Sequence, residues 1–502
     1  MISSKIAKIK TKLLTKSNFF LAGIIILGFL LSLPSFSLFF THDDFFHFKI
    51  AQVSSTKDFL NFFSPTHAPE NWAHYRPLTT QVFYAIGRYF FNFHPFPMRL
   101  LSFSFFVLTI ILIKKIISLL TEDDFLALIS SFFYATSATN FSKIYFLATQ
   151  ELGLAVFFLL STLFFIKFLL KKNKNYYWLA LLTFVISLTA KETAAVLPAI
   201  LLLTSVFLKN AKKTTVKFST TILYLIPFSI ILAIYSYLHI FKYGLPKGNS
   251  YIYDFSPRIL NTTFWYLLWS LNIPEMLVDF VGPGFHFLPA LFKYYSNEII
   301  PILTVFILQS LLLFLSAIIL FFKRNFYVKS VIFSIIWFMI TLFPVIFLPW
   351  HKFTIYLTLP MFSISFFLAL VAKGLKQIKS TWSNILIITF SLVFSILSIM
   401  TSRLTYKTNW IVQGAKTAKR VNLYLQQELK NKENIKEIVF YDTPEDENLP
   451  WKPSQVLKTV LSDNNFFEVF YNGKPKAVYT NTKPKKKYKN QLLLKARQFL
   501  GY

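Results

Sequence analysis

The chain has 502 residues, 55% of them hydrophobic and only 15% charged, where an average soluble domain carries about 25% charged residues. Its formal charge is +30, and it contains no cysteine, which excludes disulfides, thiolate metal sites and cysteine nucleophiles. The basic excess lies in short segments between apolar runs and in the C-terminal tail, with no nucleic-acid motif beside it. No nucleic-acid partner is therefore expected, and the lysines read as orienting charges that meet anionic membrane lipids.

Apolar runs of about 20 residues recur, enough to cross a hydrocarbon core of about 30 Å as helices. They lack the alternation of barrel strands, so the fold class is an all-α polytopic membrane protein. The spacing predicts about eleven transmembrane helices, at roughly 19–40, 97–120, 124–140, 145–166, 176–190, 193–209, 218–240, 299–322, 327–348, 353–372 and 382–402. Basic clusters stand at Lys5-Lys8-Lys10-Lys12-Lys16, Lys167-Lys171-Lys172-Lys174, Lys209-Lys212-Lys213-Lys217, Lys323-Arg324-Lys329 and Lys373-Lys376-Lys379. Eleven spans put every cluster on one side, which the positive-inside rule makes the cytoplasm. The expectation is a multi-pass inner or plasma membrane protein with a cytoplasmic N-terminus. Two long loops, about 41–96 and 241–298, and the tail then face the opposite side.

Two units are expected: a membrane domain, 1–402, and a small extracytoplasmic α+β domain, 403–502. In the tail, Ile438-Val439-Phe440-Tyr441 reads as a strand, and helical patterns appear at about 411–430, 453–462 and 490–499. The run Lys483-Pro484-Lys485-Lys486-Lys487 reads as a solvated basic linker. In the first loop, 77–93 reads as an interfacial helix opened by Pro77.

Asp43 and Asp44 follow the first span, in Thr41-His42-Asp43-Asp44-Phe45-Phe46-His47. Two carboxylates at the mouth of a membrane helix are costly to bury, and ionisable groups at such a place mark function. The topology gathers further polar groups on the same face: His74-Tyr75-Arg76-Pro77-Leu78-Thr79, Gln150-Glu151, Lys191-Glu192 and Pro349-Trp350-His351-Lys352. The set suits glycosyl transfer from a lipid-phosphate sugar. One aspartate acts as general base on an acceptor hydroxyl, and Arg76, Lys191 and Lys352 bind the leaving phosphate. The alternatives are structural: an aspartate pair caps helices, and lysines at span ends snorkel.

The order Thr41-His42-Asp43-Asp44, Tyr75-Arg76-Pro77-Leu78-Thr79-Thr80, Ala190-Lys191-Glu192-Thr193, then Lys352 with Tyr356-Leu357-Thr358-Leu359-Pro360, resembles the GT-C glycosyltransferases. Within them it is most similar to the protein O-mannosyltransferases of the transmembrane and tetratricopeptide-repeat type, without the repeats. The resemblance implies a GT-C fold and a polyprenyl-phosphate-linked sugar donor. It implies Asp43 and Asp44 as the catalytic pair, Arg76, Lys191 and Lys352 as donor-phosphate ligands, and His42, His74, Tyr75, Glu192, His351 and Tyr356 as site-lining residues. His351-Lys352 stands where the family has Glu-Arg, which loses the bidentate fork. The resemblance leans against a required metal, while His42, Asp43, Asp44 and His47 leave a divalent metal open. The acceptor is a protein Ser/Thr or a cell-surface glycan. The rival readings are transfer onto a lipid A-like acceptor and, in another class, a membrane transporter or flippase, which would place its polar groups at the midplane of paired halves.

Overall fold

The computed structural model describes residues 16–64, 67, 74–149, 151–244, 248–323, 327–431, 434–484, 486 and 488–501. Of the residues singled out above, Lys5, Lys8, Lys10, Lys12, Gln150, Arg324, Lys485 and Lys487 lie outside the described residues.

Long apolar helices dominate. Among the described residues, eight are long and apolar enough to cross a membrane: Lys16–Ser37, Pro95–Thr121, Glu151–Lys171, Glu192–Asn210, Phe218–Tyr243, Pro289–Phe322, Val328–Ile346 and Thr381–Thr408. Helices also stand where the other three spans are expected, Asp124–Thr136, Lys174–Ala190 and Pro360–Gln377, but they fall short of that length or apolarity. Local signals set many of the boundaries. Pro95, Pro289 and Pro360 open helices at first-turn positions, where a missing N–H costs nothing. Asp123 and Asn173 cap the helices that follow them through side-chain bonds to Leu126 N–H and Asn175 N–H.

The outer faces of the bundle stay apolar. On Phe218–Tyr243, Leu223, Ile226, Ile230 and Ile234 are exposed at helical spacing, a stripe that needs a nonaqueous surround. Inside the bundle, hydroxyls of Thr109, Ser130, Thr204 and Thr341 bond back to carbonyls one turn earlier, so small polar residues fit between helices with no orphaned donor. Glu192 and Thr149, just before Glu151–Lys171, line a shared cavity, and the helices that follow them, Glu192–Asn210 and Glu151–Lys171, each carry a lysine in the last turn.

The tail folds as a small α/β unit. Three parallel strands, β1 (Glu437–Tyr441), β2 (Lys476–Thr480) and β3 (Gln491–Lys495), lie in the order β2-β1-β3. Helices Trp410–Glu428, Pro453–Val460 and Asn465–Phe470 pack with the sheet in one apolar core. The tail segment expected to be helical at 490–499 is instead β3 followed by a single 3-10 turn, Ala496–Phe499. Pairing with β1 takes up its backbone bonds, and Leu492 and Leu494 point inward together at strand period. Lys483 and Lys486 of the basic run are exposed.

A second departure concerns 77–93. The segment is helical from Pro77 to Tyr89, but Thr79, Thr80, Gln81, Phe83 and Tyr84 are buried. It packs into the protein rather than lying flat at an interface. The hydroxyl of Thr79 donates to Ala190 O at 2.6 Å, and Gly87 lets the backbone approach the Met98 side chain, which an added Cβ would overlap.

The first long loop and the tail share one core. Phe40, Phe45, Phe48, Tyr84 and Met98 join Val421, Leu425, Ile438, Phe440, Phe466 and Phe499 in a single buried cluster. This continuity holds the acidic loop.

Candidate active site

Chain geometry separates the two aspartates. Asp43 is the first residue of the helix Asp43–Ile50, and His42 before it sits at φ 53°, ψ −122°. That left-handed backbone is strained for a residue with a Cβ. Tertiary contacts hold it: His42 N–H donates to Val460 O at 2.8 Å, and His42 Nδ1 meets Thr41 Oγ1 at 2.7 Å. The imidazole packs edge-on against Trp410, centroids 4.6 Å apart. Gly414 makes this approach possible, because a Cβ there would overlap His42 Cε1 and stand 2.7 Å from Thr41 Oγ1.

A residue step along a helix turns a side chain by about 100°. Asp44 therefore points inward, 1% exposed, where it accepts from Thr41 N–H at 2.9 Å and from the Tyr84 hydroxyl. Burial pushes its carboxyl up to about 6, against the pull of Tyr84, Thr41 and Arg99. Asp43 points the other way, into a cavity of about 500 Å³. Among the described residues, no hydrogen bond or ion pair engages its carboxylate. Loss of bulk water raises its pKa, and the Arg76 charge pulls it back.

The cavity walls carry Arg76, Lys191 and Glu192 as well. Arg76 forks onto Glu192, with Nε to Oε2 at 2.7 Å and a second, shorter bond to Oε1. Lys191 terminates the helix Lys174–Ala190. Its ammonium meets Glu151 and lies 5.0 Å from the centre of the Tyr356 ring. Lys191 and Glu151 are almost completely enclosed and Arg76 largely so, while Glu192 is 31% exposed. Ions buried this far persist only when paired. His74 stands 3.9 Å from Glu192 and lines the cavity. Burial, then the Arg76 charge, lowers its pKa to about 3. His351 also lines the cavity, packed on Tyr251 at 4.3 Å, and burial lowers it to about 4. Both rings are thus neutral near pH 7.

Asp43, His74, Arg76, Lys191, Glu192, His351 and Tyr356 meet in this cavity. Four expected residues do not line it. Asp44 is inside the protein. Tyr75 donates its hydroxyl to Phe63 O at 2.9 Å. His42 lines a neighbouring cleft instead. Lys352 turns toward Asn261, Nζ to Oδ1 at 3.3 Å, with Asp279 as its nearby opposite charge. It follows His351 in a loop where successive side chains face opposite ways, so one of the pair enters the cavity and the other leaves it. Lys352 thus stands outside the cavity lining that holds Arg76 and Lys191.

The sequence reading missed Tyr251, Glu275 and Trp410, which also line the cavity. Glu275 accepts from Thr354 N–H at 2.6 Å and from the Thr354 hydroxyl, and so ties the second long loop to the segment before Tyr356. A lone acid in a loop of balanced charge carries no spacing signal. Among the described residues, no three His, Asp or Glu side chains group as a metal site, and His42, Asp43, Asp44 and His47 are spread over different surroundings.

The bundle and its acidic cavity are those of a polytopic membrane protein with a built site at one end. Residues 75–239, about a third of the chain, match the family model described as dolichyl-phosphate-mannose-protein mannosyltransferase. The match begins at the Tyr75-Arg76-Pro77 run and includes Lys191-Glu192, so the chain resembles the GT-C glycosyltransferases over the segment that supplies most of the cavity's charge. No curated protein matches the chain in sequence. Among solved structures, the archaeal oligosaccharyltransferase AglB from Archaeoglobus fulgidus, in complex with an inhibitory peptide and a dolichol-phosphate, is similar at 11% identity and TM-score 0.44, over 88% of this chain and 64% of that one. An Archaeoglobus fulgidus oligosaccharyltransferase in complex with Zn and sulfate is similar at 10% identity and TM-score 0.40, over 92% and 62%. This chain spans less than two thirds of either.

Proposed function

We propose that the protein is an integral-membrane glycosyltransferase that moves a sugar from a polyprenyl-phosphate donor to a hydroxyl acceptor at the extracytoplasmic face. The observation that carries this reading is the contrast within the acidic pair: Asp44 is engaged by Thr41 and Tyr84, whereas Asp43 presents to the cavity a carboxylate that no hydrogen bond or ion pair engages among the described residues, beside Arg76 and Lys191. The matched family model supports the donor class by its description.

In the reaction, the acceptor oxygen attacks the anomeric carbon as its proton passes to Asp43. The bond from that carbon to the phosphate oxygen breaks, and its electron pair leaves with the phosphate. One displacement inverts the anomeric centre. The phosphate enters as a singly charged diester and leaves as a monoester with more negative charge. Arg76 and Lys191 therefore bind the transition state better than the donor, which is the condition for catalysis. Glu192 and Glu151 keep those cations in place before the donor arrives and temper their pull on it. A raised pKa suits Asp43 to its role, since a base works best when its pKa approaches the working pH.

The test is transfer from a radiolabelled polyprenyl-phosphate sugar by purified protein and its Asp43→Asn and Asp44→Asn variants. Loss of a general base costs about 10²- to 10⁴-fold, and that loss is expected of Asp43→Asn. Asp44→Asn is expected to melt earlier yet keep measurable transfer. Wild-type rates from Asp43→Asn would falsify the assignment. A reporter fused after residue 403 tests the sidedness separately, and a cytoplasmic signal there would move the site to the other face.

A further inference from the structure

Granting that reading of the cavity, a second cleft bears on what receives the sugar. A cleft of about 410 Å³ opens on the tail unit between Trp410–Glu428 and Pro453–Val460. Trp451, at its rim, is 75% exposed, and Trp410 is 47% exposed. Indoles left this open contribute little to the core and cost hydration. Between them stand Gln413, Gln455, Thr417 and Thr459. The two ionisable groups in the lining are already engaged. His42 is bonded to Thr41, and Lys452 Nζ donates to Glu447 O at 3.0 Å. The cleft is thus aromatic and rich in amides and hydroxyls, with one ammonium, Lys452, held on backbone carbonyls.

That is the chemistry of a sugar site. A pyranose ring has an apolar face of C–H groups that packs on an indole, and equatorial hydroxyls that need both donors and acceptors, which an amide supplies together. The cleft adjoins the site already described. Trp410 lines both cavities, and His42, in the lining of this one, directly precedes Asp43 in the other. A peptide fits less well. The lining comes from two helices and their flanking loops, and none of the three strands offers an edge there to pair with an extended chain.

We propose that this cleft is the acceptor subsite and takes a neutral glycan, one ring stacked on Trp451 and the chain running past Trp410 to bring a hydroxyl to Asp43. The test uses the full chain in lipid nanodiscs and saturation-transfer NMR with mannotetraose and with chitotetraose. A Ser/Thr-rich peptide and brominated phospholipid serve as the competing occupants. At least one tetrasaccharide is expected to bind wild type and Asp43→Asn alike. That binding is expected to disappear in Trp451→Ala and weaken in Gln455→Ala. Where transfer to the bound saccharide is assayed, Trp451→Ala is expected to raise the acceptor KM about tenfold or more, with kcat and the donor KM little changed. The proposal is overturned if neither tetrasaccharide binds or if binding survives Trp451→Ala. It is equally overturned if the peptide occupies the cleft in a Trp451-dependent way, or if brominated lipid quenches Trp451, which would make the indole a membrane anchor. Binding is read without turnover, so failure here leaves the catalytic role of Asp43 standing, and full transfer by Asp43→Asn would remove that role without touching the binding result.

Discussion

The two ends of the helix bundle use the same chemistry to different ends. At the cavity, Lys191–Glu151 is shut away from water, its side chains only 4% and 3% exposed. At the far end, Lys373–Asp123 and Lys213–Glu122 join helix termini and are more open, with Asp123 19%, Lys373 24% and Glu122 77% exposed. An exposed pair adds about 0–1 kcal/mol, and the turn it spans could be held by a cap alone. A buried pair is a poor way to gain stability, because desolvation consumes most of the attraction. Buried pairs facing a cavity are therefore kept for what the cavity does.

The sharpest break in that comparison is at Asp43, which forms no ion pair among the described residues. Its pKa lies above the ordinary carboxylate range because burial outweighs Arg76. Only the ionised form accepts a proton, so transfer is expected to fall as pH drops through that raised value and to be complete above it. His74 and His351, lowered to about 3 and about 4, are already neutral there and add no step between pH 5 and 8. Asp44 titrates near 6, so the profile is to be measured in Asp44→Asn as well. An acid limb that vanishes in that variant would shift the titrating role from Asp43 to Asp44.

Lys191→Met is next in size. It strands Glu151 in a buried site, and removing one partner of such a pair costs about 3–5 kcal/mol. A clear drop in melting temperature is expected. The double variant Lys191→Met with Glu151→Gln sharpens the point: it is expected to recover most of the stability and none of the donor affinity. Recovery of both would make the pair a structural feature like those at the other end.

These contrasts mark how far the sequence could be read. Span positions were legible because length and apolarity alone decide them. The motif order brought Asp43, Arg76, Lys191 and Glu192 to one cavity because each sits at a helix end on the same face. Direction was not legible. Asp43 and Asp44, or His351 and Lys352, are neighbours in the chain, and only tertiary contacts such as Tyr84 on Asp44 and Asn261 on Lys352 decide which one enters the cavity. The tail carried still less signal. Leu492-Leu493-Leu494 fits a helix or a strand equally, and pairing with β1 resolves it. That the tail buttresses His42 through Val460, Trp410 and Gly414 depends on contacts hundreds of residues apart.

Gly414→Ala tests that buttress. The added Cβ overlaps His42 and crowds Thr41, and overpacking of this kind costs about 1–3 kcal/mol. Relief by moving the His42 loop also moves Asp43. A fall in kcat with a modest loss of melting temperature and an unchanged donor KM is expected. Equal loss of kcat and donor affinity would mean that the whole cavity, rather than the acidic loop, leans on the tail.

Lys373→Met is expected to have the smallest effect. The lysine and Asp123 are each about a fifth to a quarter exposed. Asp123 also keeps its capping bond to Leu126 N–H at 2.9 Å when the lysine is gone, so its charge is left partly solvated and still bonded. A change within about 1 kcal/mol and unaltered transfer are expected from melting curves and the donor assay. A loss as large as that of Lys191→Met would erase the distinction between the two ends and would show that burial, which differs so much between them, is not what separates a working charge pair from a structural one.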